Sequence, residues 1–143
     1  MAERRDQLMN ELFDSIHAIK RGMQGQMGSF AKDCPISRTQ AELLVAVKQQ
    51  QPVSFKQLAK TLYLSPGAVS QLADSLLQDG YLNRQADSAD RRIQCLSLTQ
   101  QGTLLLHDLD KRRRAMLEHI MHSLTDEELA IWLKLHRKII TQL

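Results

Sequence analysis

Several ingredients that mark specialised protein classes are scarce in this sequence of 143 residues. Two cysteines are too few for a disulfide framework, and three prolines and six glycines are too few for a fibrous or disordered chain. No apolar run approaches the ~20 residues of a membrane-spanning helix, and no secretory signal follows Met1. We therefore expect a cytoplasmic globular protein with reduced thiols. Aromatic residues make up only 4% of the chain, so apolar stripes are expected to pack in helical cores rather than form a cofactor box.

The remaining composition is typical of one globular domain with helical extensions. Hydrophobic residues make up 43% of the chain and charged residues 24%, and a chain of this length can bury roughly 68–70% of its unfolded surface. The net charge of +3 and the pI near 9.0 permit nucleic-acid binding without demanding it. The basic excess is spread thinly along the chain, so the case for nucleic-acid binding depends on the local arrangement of residues rather than on net charge.

A long amphipathic helix is predicted at the N-terminus. Apolar residues recur at steps of three and four, which places them on one stripe of a helix. The stripe comprises Leu8, Leu12, Ile16, Ile19, Met23, Met27 and Phe30. Gly28 and the Cys34–Pro35 pair mark the end of this helix. We predict that residues 1–34 are the N-terminal helix of a dimerisation region.

Cap signals place three shorter helices in the middle of the chain. Ser37 precedes an apolar helix, and Ser54 with Gln57 form a capping-box pattern that opens the next one. Ser65 and Pro66 then provide a hydroxyl cap and an N1 proline directly before a third helix. A three-residue connection separates the last two helices, which is the layout of a helix-turn-helix.

The apolar period changes from 3.6 to 2 after Gly80, the glycine expected to end the third helix. Residues 81–85 and 93–98 predict two strands, and the polar tip between them, residues 86–92, predicts a solvent-exposed hairpin loop. A two-stranded ribbon after a helix-turn-helix is a wing. We predict that residues 35–99 form a winged helix-turn-helix DNA-binding domain.

The C-terminal part of the sequence predicts two further helices. Thr99 caps the first, and Thr125 with Glu128 form a capping box that opens the second. Amphipathic helices at both ends of the chain have apolar faces to bury, so we assign residues 100–143 to dimerisation. The predicted fold is mainly α, a winged helix-turn-helix domain with a two-stranded β wing flanked by N- and C-terminal dimerisation helices.

The predicted recognition helix, residues 66–79, has an outward face of small and polar side chains. Its capped N-terminus provides N–H groups and a positive dipole end for a phosphate, and small residues allow close approach to the bases. Gln71 is the long amide that can pair with adenine N6 and N7, although a solvated helix position is the alternative interpretation. The major-groove candidates are Ser65, Pro66, Gly67, Ala68, Ser70 and Gln71.

The predicted wing tip offers cations for a narrow, electronegative minor groove. Arg91 and Arg92 can enter such a groove while Asp90 holds a guanidinium in place, although an isolated turn of this kind is ordinarily a solvated loop. Further polar side chains are candidates for phosphate contacts that position the protein without reading sequence. These phosphate candidates are Ser37, Arg38, Thr39, Ser54, Lys56 and Arg84.

The segment 90–102 resembles the wing signature of the MarR-type winged helix-turn-helix transcriptional regulators. In that signature Asp-x-Arg is followed by a strand ending in Leu-x-Leu-Thr and by a glycine, and here Asp90, Arg92, Leu98, Thr99 and Gly102 stand at these positions. Residues 37–41, 58–60, 64–65 and 76–84 resemble the family's second helix, helix-turn-helix and exit into the wing. The resemblance covers roughly residues 37–102.

The resemblance implies a homodimer that binds a pseudo-palindromic operator and represses transcription. It singles out Arg92 in the wing, with Asp90 as its partner. It also implies that a small phenolic or other anionic ligand, an oxidant or a metal often releases the DNA. An effector pocket would lie between the dimer helices and the winged domain, where the candidate lining residues are Phe13, Ile16, His17, Leu43, Leu44, Val47 and Leu106.

The cysteines, histidines and basic run give only weak signals for a redox, metal or binding site. Some relatives sense peroxide through a cysteine early in helix 1, but Cys34 lies at the far end of that helix and Cys95 in a wing strand, so we favour small packing residues. His119 and His122 have i, i+3 spacing without a Cys-x-x-Cys or His-Glu-x-x-His motif, so we predict neither metal nor cofactor. The basic run 111–114 is typical of a solvated, ion-paired helix face.

No Gly-rich phosphate loop, Gly-x-Ser-x-Gly motif or paired carboxylate site supports an enzyme. The predicted function is that of a DNA-binding regulator. The alternative is a winged-helix protein-interaction or adaptor module without specific DNA binding.

Overall fold

The computed structural model describes the backbone of residues 2–143 and the side chains of residues 3–26 and 32–143. The predicted stripe residues Met27 and Phe30 lie outside the described side chains, and the predicted helix end at Gly28 is wrong, because α1 continues to Lys32. The described helices are α1 (Ala2–Lys32), α2 (Arg38–Gln50), α3 (Phe55–Leu62), α4 (Pro66–Gln78), α5 (Gln100–Met121) and α6 (Asp126–Ile140). The described strands are β1 (Val53–Ser54), β2 (Leu82–Ala86) and β3 (Gln94–Leu98).

The predicted N-caps are confirmed. The side chains of Ser37, Ser54 and Thr125 each accept a hydrogen bond from the backbone N–H three residues on, and the residue at that position returns a side-chain bond in each case. Ser65 accepts from the backbone N–H of Ala68, and proline follows it at the first helical position. These local bonds satisfy amide groups that a helix start leaves without partners, which is why each helix begins where it does.

The turns before and after α4 use left-handed backbone conformations. Gly80, with φ of +81°, ends α4, and the amides of Gly80 and Tyr81 donate to the carbonyls of Leu77 and Leu76 in the Schellman pattern. Tyr63 has φ of +53° in the connection between α3 and α4, and its side chain is 95% exposed. A non-glycine residue in this region is uncommon, and this tyrosine has little packing to compensate for it.

The sheet has three antiparallel strands in the order β1-β3-β2. Strand β3 pairs with β2 as predicted for the wing, with Leu82 opposite Leu98 and Ala86 opposite Gln94. The prediction of a two-stranded wing is incomplete, because Val53 and Ser54 also pair with β3, opposite Leu96 and Cys95. A two-residue strand is too short to show an alternating apolar pattern, so sequence periodicity could not reveal it.

The chain divides into two compact units, residues 1–108 and 109–143. In the first unit, α2, α3, α4 and the sheet pack on one apolar core. Its largest fully buried side chains are those of Leu43, Leu44, Val47, Val53, Leu58, Val69, Leu76, Leu96 and Leu106. The predicted three-part division into residues 1–34, 35–99 and 100–143 stays a prediction.

Several apolar side chains remain exposed on each of α1 and α6, and α5 exposes Leu104 and Leu117. On α1 these are Leu8, Met9, Leu12, Phe13, Ile16 and Ile19, with 37–63% of their surface exposed. On α6 they are Ile131, Trp132, Leu133, Leu135, Ile139 and Ile140, with 39–62% exposed. Within the described part of the chain, no helix is both long enough and apolar enough to cross a membrane.

Candidate nucleic-acid interface

The outward face of α4 presents the predicted major-groove residues. Gln71, Pro66 and Gly67 are exposed, whereas Ala68 and Ser70 are half-buried. A Cβ atom added to Gly67 would meet nothing within 4 Å, so the surface beside it is open. Among the apolar side chains of α4, Val69, Ala73 and Leu76 are buried, whereas Leu72 and Leu77 are half-buried. The contacts of this face with bases stay a prediction.

Arg84 on β2 is held against the recognition helix. Its Nη2 atom lies 3.2 Å from Oδ1 of Asp74 on α4, and its guanidinium carbon lies 5.3 Å from the ring centroid of Phe55 on α3. Phe55 is half-buried, with the Arg84 cation over its ring. The side chains of Arg84 and Asp74 remain 45% and 64% exposed, so the guanidinium is still accessible from solvent.

The wing turn is ordered by Asp87, a residue that sequence reasoning left without a role. Its Oδ1 accepts the backbone N–H groups of Ala89 at 2.8 Å and Asp90 at 3.0 Å, while its own N–H donates to the carbonyl of Ile93 at 2.8 Å. The N–H of Asp90, followed by that of Ala89, lowers the pKa of this carboxyl below its ordinary 3.8. The sequence signal for this role was the position of an aspartate at the start of a polar turn, where its side chain can accept backbone N–H groups two and three residues on.

Asp90 orients the guanidinium of Arg92 at the wing tip. Oδ1 of Asp90 accepts from Nε of Arg92 at 3.1 Å, and Oδ2 accepts from Nη2 at 3.3 Å, so the pair is bidentate. The same Oδ1 atom accepts the backbone N–H of Arg92 at 3.1 Å. The Arg92 side chain is 91% exposed, and Arg91 beside it is exposed as well. The result is a preoriented cation that projects from the hairpin.

The remaining phosphate candidates differ in what their side chains contact. Ser37 and Ser54 use their hydroxyl oxygens as helix caps. Arg38 pairs with Glu42 on the next turn of α2, with Nε and Oε1 3.1 Å apart. Thr39 and Lys56 are exposed. All of these residues stay candidates for phosphate contacts.

The predicted effector residues fall into two groups. Leu43, Leu44, Val47 and Leu106 are in the core of the first unit, with no more than 1% of their surface exposed. Phe13, Ile16 and His17 lie on an exposed part of α1, where the Phe13 and His17 rings meet edge to face at 4.4 Å. The pocket stays a prediction.

Cys95 is in an environment that disfavours thiol chemistry. It is 2% exposed on β3, and its Sγ atom lies 3.7 Å from Oδ2 of Asp87. Burial, followed by the negative charge of Asp87, raises the pKa of the thiol above its ordinary 9.0. Because the thiolate is the reactive form, this cysteine is suited to packing rather than oxidation sensing. Cys34 is half-buried.

Ordinary surface contacts are made by the basic run on α5 and by the histidine pair at its end, where His122 follows the last helical residue. The rings of His119 and His122 stack with centroids 6.0 Å apart. No group of three His, Cys, Asp or Glu side chains that could hold a metal ion occurs among the described residues. Within the basic run, Arg114 lies 3.5 Å from Glu118 and Arg113 lies 3.9 Å from a carboxylate one turn earlier. These are exposed ion pairs of small energetic weight.

Comparison with known proteins agrees with this architecture. The sequence model of the MarR family matches residues 36–94, which include the helix-turn-helix and most of the wing. The HTH-type transcriptional repressor MdtR of Bacillus subtilis is 27% identical over 124 residues, which cover 87% of this chain and 80% of that relative.

Solved structures share the fold over nearly the whole chain. A MarR family protein from Bacillus stearothermophilus has a TM-score of 0.85 at 18% identity and covers 96% of both chains. A mutant of S. aureus MepR bound to an oligodeoxyribonucleotide has a TM-score of 0.67 at 21% identity, covering 89% of this chain and 94% of that one. The curated relatives are transcriptional regulators rather than enzymes. With the capped recognition helix and the Asp-x-Arg wing in place, residues 36–94 of this chain form a winged helix-turn-helix domain similar to that of the MarR family.

Proposed function

We propose that this protein is a homodimeric transcriptional repressor that binds a pseudo-palindromic DNA operator. Residues 66–79 would enter the major groove and residues 86–92 the minor groove. The observation that carries the proposal is the wing tip, where Asp90 orients an Arg92 side chain that is 91% exposed. The names of the relatives, which include a repressor and a DNA-bound structure, support the same function.

The chemistry of the two surfaces suits the two grooves. A narrow minor groove concentrates negative potential and attracts a guanidinium, and a guanidinium held by a carboxylate loses less rotational freedom on binding. The small residues at the start of α4 would let the helix backbone approach the bases, and Gln71 would then reach an adenine edge. Phosphate contacts from the candidate residues would set the orientation of the domain.

The exposed apolar faces support a dimer of this chain. Leu12, Phe13 and Ile16 on α1 are each about half exposed, and α6 separately exposes Ile131, Leu135 and Ile139. Several large apolar side chains exposed along one helix are typical of an interaction site, and the partner we propose for them is a second copy of this chain. Two wings and two recognition helices would then read half-sites about 10 base pairs apart.

An effector that releases the DNA belongs to the same proposal. Its support is the similarity to the MarR family and the exposed Phe13 and His17 ring pair, which offers an aromatic and a polar contact to a small aromatic acid. The measurement is operator affinity and thermal midpoint in the presence of a panel of small aromatic acids. A panel without effect on either quantity would count against an aromatic-acid effector.

The test of DNA binding is selection of duplexes from a random pool by the purified protein near physiological salt, with its mass in solution measured alongside. We expect an enriched pseudo-palindrome and a dimeric mass. Each phosphate neutralised should add about 0.9 to the negative slope of log K against log salt. A folded dimer that enriches no sequence would contradict the proposal and favour the protein-interaction alternative.

A further inference from the structure

The amide side chain of Gln40 links the start of α2 to the recognition helix. Its Oε1 atom accepts the backbone N–H of Ser37 at 2.7 Å, which completes the capping box of α2. Its Nε2 atom donates to the Oγ atom of Ser75 on α4 at 3.0 Å, across 35 residues of sequence. Both ends of the amide are therefore engaged, so its orientation is defined by two different helices.

Ser75 is well placed to control where the recognition helix sits. It follows Gln71 by four residues, so the two side chains lie on neighbouring turns of one helix face. Its neighbour Asp74 is bonded to Arg84 of β2. The third turn of α4 is thus held at two successive residues, by α2 through Gln40 and by the wing strand through Arg84.

We propose that Gln40 and Ser75 are a positioning pair, whose hydrogen bond fixes the position of α4 for reading the operator. A base contact requires its side chain to be placed within about 0.5 Å, and a rigid helix transmits a shift at Ser75 directly to Gln71. Neither side chain needs to touch DNA for this role. The inference rests on the proposed function, because it concerns how the same surface discriminates sequences.

Substitution of Ser75 can remove the hydrogen bond between Gln40 and Ser75 without disrupting the fold. Ser75→Ala removes the acceptor, leaves the capping box of Gln40 and Ser37 in place, and introduces a residue of higher helix propensity. Ser75→Thr keeps the hydroxyl and is the matched control. The readouts are affinity for the selected operator, affinity for a scrambled duplex of the same composition, the salt slope of each, and urea unfolding.

For Ser75→Ala we expect operator affinity to fall about five- to tenfold, a range that coupled polar pairs commonly show. Affinity for the scrambled duplex should stay within about twofold and the salt slope should not change, because no phosphate contact is lost. Ser75→Thr should recover most of the operator affinity. Gln40→Ala should reduce discrimination in the wild-type protein, and it should cause no further loss of discrimination in the Ser75→Ala protein.

The outcomes distinguish this inference from the proposed function. A wild-type protein that does not discriminate the operator would overturn both. A wild-type protein that discriminates, with Ser75→Ala discriminating equally well, would overturn only the positioning role. Equal weakening on both duplexes with a shallower salt slope would also overturn it, because Ser75 would then be a phosphate contact.

Discussion

Gly102 in the first turn of α5 lies against the backbone at the base of the wing. A Cβ atom placed on it would overlap the carbonyl oxygen of Tyr81 and would lie 3.1 Å from that carbonyl carbon and 3.3 Å from Cδ2 of Leu98. The carbonyl oxygen is itself fixed, because it accepts the N–H of Thr99 at 3.1 Å. The hydroxyl oxygen of Thr99 in turn accepts the N–H of Gly102 at 2.9 Å.

Two effects of Gly102→Ala have opposite signs. Helix propensity alone would raise the free energy of unfolding by about 1 kcal/mol, because alanine loses less backbone entropy than glycine. Overpacking of a tight site costs about 1–3 kcal/mol when neighbours must shift, and occasionally more. Here the overlapping neighbour is backbone that cannot rotate away, so the upper part of that range applies. We expect a net loss of about 1–2 kcal/mol.

Urea unfolding at one fixed protein concentration measures this difference. The midpoint should fall for Gly102→Ala with an unchanged slope. Gly67→Ala is the control, since a Cβ atom there meets nothing within 4 Å and the midpoint should stay constant or rise. If Gly102→Ala were as stable as the wild type or more stable, the close approach of α5 to the wing base would be refuted.

Four further predictions concern the helix-turn-helix and the wing. Tyr63→Gly should raise the free energy of unfolding by about 0.5–1 kcal/mol, because it removes left-handed strain at a side chain that buries almost nothing; a lower urea midpoint would contradict this. In the folded protein near pH 8, iodoacetamide should modify Cys34 before Cys95, with both modified in denaturant, and rapid modification of Cys95 would contradict its burial. Arg92→Ala should weaken operator binding by about 1–3 kcal/mol without changing the thermal midpoint, and unchanged affinity would count against a minor-groove wing. The folded-state pKa of Asp87 is lowered, so the stabilisation that its carboxylate gives to the wing turn is complete above the ordinary pKa of 3.8 and is lost as pH falls through the lowered pKa. Amide hydrogen exchange at Ala89, which donates to this carboxylate, should therefore depend on pH in the acid range. In an Asp87→Asn protein the exchange at Ala89 should lack this dependence.

The elements of the fold follow from signals within a few residues of each other. Capping patterns at Ser37, Ser54 and Thr125 predict helix starts that the structure confirms, because a cap bond spans only three residues. The change of apolar period after Gly80 likewise predicts the two wing strands to within one residue at each end. The pairing of Asp90 with Arg92 is also local, two residues apart; the family resemblance implied the pair, and the structure adds its bidentate geometry.

The contacts that connect these elements depend on tertiary structure. Strand β1 forms because packing brings Val53 beside β3. A two-residue segment carries no sequence signal that identifies the strand with which it pairs. Arg84 was predicted as a phosphate contact, but the structure adds an intramolecular carboxylate from α4, ten residues earlier in the chain. Gln40 and Ser75 meet across 35 residues. Such pairs form only when packing of the whole core brings distant residues together. Local sequence patterns therefore predict the helices, their caps and the wing. Only the packed structure decides which contacts hold the recognition helix in place.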